Sequence, residues 1–95
     1  MQTPIKRKPI ADLKTAIEMY YLNSELTTAN ITKLFDVSSN TAKKYKDVVR
    51  EEMAKRSVLS NEINSVNTKI AYEVWGLDIS DLEKRYAKLQ KFKNS

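Results

Sequence analysis

The chain is predicted to fold as an all-α domain of about five helices. Three observations carry that expectation. Apolar residues recur at spacings of three and four along most of the sequence, and only one Gly and two Pro interrupt its 95 residues. The apolar runs are separated by Ser, Thr, Asp and Asn of the kind that cap helices. With 41% apolar and 31% charged residues, the chain has material for one core and is too short for two.

Residues 1–8 hold Pro4, the basic triplet Lys6-Arg7-Lys8 and little to bury, which reads as a flexible basic arm. A single helical domain then runs from 9 to 95. A first helix is expected from Pro9, a good first-turn residue, with Ile10, Leu13, Ile17 and Tyr20 in one stripe and Ala16 and Tyr21 beside it. It should end near Leu22 to Ser24. Thr27-Thr28 offers hydroxyl caps to a second, short helix with Ile31, Leu34 and Phe35 on one face. After Asp36-Val37-Ser38, a longer stripe of Ala42, Tyr45, Val49 and Met53 predicts a third helix from Ser38 or Ser39 to about Lys55.

Residues 57–67 are polar and β-branched, and three structures fit them: a loop, a short strand pair forming a small wing, or a helical turn capped by Ser60. Asn67-Thr68 opens a short helix carrying Ile70, Ala71, Val74 and Trp75, which Gly76 ends by taking a left-handed conformation at no steric cost. Ser80-Asp81-Leu82-Glu83 has the form of a capping box and opens a last helix with Leu82, Tyr86, Leu89 and Phe92 on one side. Residues 68–92 thus read as a C-terminal helical hairpin. The stretch from Ile31 to Tyr45 parallels that from Lys69 to Tyr86 only after a shift of about one residue in the turn. We read two helical hairpins sharing one core rather than a repeat.

Charge and composition narrow the chemistry. A formal charge of +5 and an isoelectric point near 9.5 favour a polyanionic partner on so small a surface. Without His or Cys there is no imidazole base, no thiolate nucleophile and no nitrogen or sulfur ligand for zinc. One Gly cannot build the glycine-rich loops that wrap nucleotide phosphates. No enzyme, cofactor, metal site or small-molecule substrate is expected. No apolar stretch approaches the roughly 18 residues of a membrane span, and Lys6-Arg7-Lys8 runs into Pro9-Ile10-Ala11-Asp12 rather than an apolar leader. A cytoplasmic protein is expected.

The informative stretch is Thr28 to Val49. It resembles the helix-turn-helix of DNA-binding regulators, and 28–55 is its expected extent here. Ile31 and Phe35 match the apolar residues between the two helices, Val37 matches the apolar turn residue, and Ala42 is small enough for a close crossing. Two positions depart from the pattern: Asp36 stands where Gly is usual, and Thr32 where Ala is. Asp tolerates positive φ, so the first departure is modest.

With Ala42 turned inward, a 100° step per residue directs Asn40, Lys43, Lys44 and Asp47 outward. Ser39, Asn40, Lys43 and Lys44 then occupy the half of the helix that the resemblance places in the major groove. Asn can pair with adenine, Lys with guanine or phosphate, and hydroxyls with either. Ser38 and Thr41 are assigned to capping or phosphate contact, and Lys6, Arg7 and Lys8 to a minor groove or to phosphates. Asp47, Glu51 and Glu52 limit the approach to the first two or three turns.

The expected partner is double-stranded DNA, bound sequence-specifically by a dimer on half-sites roughly 34 Å apart or by a cooperative oligomer, and the apolar stripe of the last helix, Asp81 to Phe92, fits either a self-association surface or the monomer's own core. In size and type the chain resembles small regulators, or recombination and packaging accessories, of phages and mobile elements. The alternative is a protein-binding adaptor built as a helical bundle. Trp75 is expected to plug the core rather than anchor a partner, and Asp78, Asp81 and Glu83 to serve turns and helix starts rather than a metal.

Overall fold

A computed structural model of the protein describes residues 7–60 and 64–93. Lys6, and the part of the 57–67 segment at 61–63, lie outside the described residues. Within them the chain forms α1 (Leu13–Leu22), β1 (Glu25–Thr27), α2 (Thr28–Phe35), α3 (Ser39–Lys55), β2 (Ser65–Asn67), α4 (Thr68–Val74) and α5 (Ile79–Lys93). The all-α class holds, with five helices among the described residues and one small antiparallel ribbon between β1 and β2.

Two helix starts differ from expectation, each because a better cap sits nearby. The first helix begins at Leu13, not at Pro9, since the Asp12 carboxylate accepts from the Thr15 backbone N–H at 3.0 Å and from its hydroxyl at 2.8 Å. Residues 9–11 instead run outside the helix, and the Ala11 N–H is used on the Leu34 carbonyl at 2.9 Å. In the last helix the cap is Asp78 rather than Ser80. Its carboxylate accepts from the Ser80 N–H at 3.0 Å, and its carbonyl accepts from the Leu82 N–H at 3.0 Å. Glu83 does not close a capping box; it accepts the Tyr21 hydroxyl instead.

Among its described residues the 57–67 segment makes no strand pair of its own. Its last three residues pair with Glu25–Thr27, in the register Glu25 with Asn67, Leu26 with Val66 and Thr27 with Ser65. Sequence periodicity cannot reveal a three-residue strand, since alternation needs a longer run to register.

This pairing exposes an order in the chain. Strands 25–27 and 65–67, helix starts 28 and 68, left-handed turn residues Asp36 and Gly76, and helix starts 39 and 79 are all separated by 40 residues. Hydrogen bonds keep the same offset: Thr27 and Asn67 cap the N–H groups of Asn30 and Ile70, and Val37 and Leu77 donate to the carbonyls of Thr32 and Tyr72. No shift occurs in the turn. Because the ribbon is antiparallel and centred on Leu26 opposite Val66, the two halves meet about a local two-fold axis there.

The likeness stops at the long helices. α3 packs on α2 and α4, whereas the principal partner of α5 is α1. Ala42 and Leu82, at matching places, are both buried in the core but differ in size.

One apolar cluster joins both halves and includes Leu26, Val66, Phe35, Val49, Tyr72 and Trp75. Phe35 sits at its centre, with Tyr45 and Trp75 edge-on at 5.3 and 5.2 Å between ring centroids. Trp75 is 1% exposed and its indole N–H donates to the Tyr45 carbonyl at 3.3 Å, which is the expected core plug.

Candidate nucleic-acid interface

The candidate surface is built from the turn outward. Asp36 takes φ 53° and ψ 57° and ends α2, its N–H bonding to the Thr32 carbonyl. That reversal sends Val37 back toward the core and leaves Ser38 extended, where its hydroxyl accepts from the Thr41 N–H at 3.3 Å and starts α3. The Ser38 hydroxyl also donates to the Thr41 hydroxyl at 3.2 Å, so both side chains serve the cap.

Ala42, Tyr45, Val49 and Met53 are all buried, as the stripe requires. Ser39, Asn40, Lys43 and Lys44 are exposed on the opposite flank, with Thr41 half-buried between the two sides. α5 lies against α1 and leaves this flank uncovered. The free N–H groups at the start of α3 add positive potential at the end where these side chains cluster.

Farther along α3 the signs mix, with Arg50 and Lys55 exposed among the carboxylates. Asp47 and Glu51 are exposed, while Glu52 receives Arg56 at 3.1 Å, and Arg56 also reaches Glu73 of α4 at 2.8 Å. Lys43 and Lys44 thus stand exposed ahead of the carboxylates of α3.

Arg7 and Lys8 are not a free arm. The Arg7 guanidinium donates to the Trp75 carbonyl at the end of α4 and lies over the Phe35 ring, 5.6 Å from its centroid. The Lys8 ammonium donates to the Asp36 carbonyl at 3.1 Å, and its backbone N–H donates to the Tyr45 hydroxyl at 3.1 Å. With Ala11 on Leu34, this short strap satisfies carbonyls at the ends of both short helices, where cations are favoured.

Lys46 was not singled out by its sequence position. It is 8% exposed, with its ammonium on the Thr28 hydroxyl at 2.8 Å and the Asn64 carbonyl at 3.3 Å. Burial pulls its pKa below the ordinary lysine value, with Arg50 adding to the effect. It holds the start of α2 to α3 and to the run into β2. The 40-residue offset of the caps and turns is the sequence signal that accompanies the ribbon, and the strap has no such signal.

The acidic residues of the second half have local partners. Asp78 caps α5, Asp81 pairs with Arg85 at 3.0 Å, and Glu83 accepts from Tyr21. Among the described residues no group of three or more metal-ligating side chains comes together. No helix there is long and apolar enough to cross a membrane. Searches of family models, curated proteins and solved structures return no match to this chain.

Proposed function

We propose that this protein binds double-stranded DNA in a sequence-dependent way, without catalysis, by laying the first turns of α3 in the major groove. The observation that carries the reading is the outer flank of α3, where Ser39, Asn40, Lys43 and Lys44 stand exposed opposite a fully buried stripe. A helix held from behind by its own apolar side, with amide, hydroxyl and ammonium groups in front, suits insertion into a groove. Asn40 reads adenine, Lys43 and Lys44 meet guanine or phosphate, and Ser38 and Thr41 add phosphate contacts beyond their capping role. Arg7 and Lys8 contribute by fixing the turn that aims the helix. Lys6 retains its expected role in a minor groove or on phosphates.

The cytoplasm is the setting this reading implies. A transcriptional regulator, or a recombination or packaging accessory of a phage or mobile element, is the narrower proposal, and it rests on likeness of size and type. A second reading, a protein-binding adaptor, is favoured by one observation: Phe92 and Leu89 on α5 are 79% and 38% exposed.

A salt titration with duplex DNA separates the two. Groove binding through several phosphates predicts an affinity loss of orders of magnitude between about 50 and 200 mM salt. Lys43→Ala and Lys44→Ala should each weaken duplex binding while leaving the melting temperature nearly unchanged, because both side chains are exposed. Asn40→Ala should alter sequence preference more than non-specific affinity. Equal binding by all three variants would remove α3 from the interface.

A further inference from the structure

We propose that the protein engages DNA as a single copy, on a site without two-fold symmetry, because its own second half stands where a symmetric dimer would set a second motif. The proposal rests on the duplex reading above and deepens it.

The strand, short helix, turn and helix start recur 40 residues on, and the antiparallel ribbon relates the two copies by a local two-fold axis at Leu26 and Val66. A dimer of helix-turn-helix proteins builds such an axis between chains. Here α3 already packs on α4, and β1 on β2, within one chain. The place is taken.

The second half does not supply a second reading helix. The residues matching Ser38, Thr41 and Lys43 are Asp78, Asp81 and Glu83. Three neutral or basic groups become three carboxylates at the start of α5, although Lys84, which matches Lys44, and Arg85 keep the helix basic beyond them. All three carboxylates are engaged within the fold, Asp78 at the cap, Asp81 with Arg85 and Glu83 with Tyr21, and α5 is turned onto α1. One half therefore reads and the other buttresses. A single inserted helix recognises only a few contiguous base pairs, and nothing in the pairing of the halves doubles them into an inverted repeat.

The test is selection of bound sequences from a random duplex pool by the full chain, followed by the mass of the complex on one selected duplex. The expected result is one contiguous motif without inverted symmetry and one chain per duplex. The paired substitution Asp81→Asn with Glu83→Gln should keep the same motif and bind within about twofold of the parent, whereas Lys43→Glu with Lys44→Glu should lose about tenfold or more. An inverted repeat carrying two chains would overturn the single-copy proposal and leave the duplex reading standing. A changed motif in the Asp81 and Glu83 variant would put α5 in a groove and overturn it as well. Absence of salt-sensitive duplex binding would sink both readings.

Discussion

Asp36 and Gly76 occupy matching turn positions with φ 53° and 73°, yet only one is glycine. Nothing lies within 4 Å of a Cβ built on Gly76, so Gly76→Ala meets only the backbone penalty and should cost about 1–2 kcal/mol in a urea melt. Asp36→Gly should move stability the other way, by up to about 1 kcal/mol. Both residues were legible from sequence, because glycine and aspartate identities bear directly on φ. Lys46 was not, because its partners Thr28 and Asn64 come from elements far along the chain. Tyr72 supplies a pH test. Its hydroxyl donates to the Ala16 carbonyl at 2.6 Å, and burial, with Tyr20 adding, pushes its pKa above the ordinary value near 10. A pKa raised in the folded state means that the folded chain holds this proton after the unfolded chain has released it. The contribution of Tyr72 is therefore complete below pH 10 and falls as pH rises beyond it. Tyr72→Phe should cost about 1 kcal/mol at neutral pH and flatten the alkaline decline in stability relative to the parent, as followed by denaturant titrations across pH 9–11.

At the scale of elements, α2 and α3 were readable because each has one strong cap, Thr27 and Ser38, followed by an uninterrupted stripe. The starts of α1 and α5 were misplaced where two caps compete within a few residues, and the carboxylate of Asp12 or Asp78 wins over proline or serine. The ribbon was invisible for a different reason: each strand is three residues long and its partner is far away in sequence. The outer flank of α3 was legible residue by residue, since periodicity alone separates Ala42 from Asn40 and Lys43. The contacts of Arg7 and Lys8 were not legible, because a basic side chain carries no mark of the carbonyl it will meet. Arg7→Ala removes a charged hydrogen bond to Trp75 and the contact over Phe35, and should lower stability by about 1–2 kcal/mol in a thermal melt. Loss of duplex affinity in that variant without any fall in melting temperature would instead make Arg7 a DNA contact.

For the molecule as a whole, class and charge were plain from composition, while the 40-residue order was hidden by unequal residues at matching places. Ile31 matches Ala71, Thr32 matches Tyr72 and Ala42 matches Leu82, so residues of unequal size stand at corresponding places. Such inequality erases the sequence likeness between the halves. The same sharing has a practical outcome. Leu26 is covered through Val66, and Phe35 through Trp75 and Arg7, so neither half encloses its own apolar surface. A fragment ending at Ser60 should give a coil-like circular dichroism spectrum and no cooperative melt, whereas a self-contained motif would melt sharply. The segment that offers its flank to a groove is thus not portable: severed from the C-terminal portion, or grafted onto another scaffold, it would arrive without the wall that keeps it helical.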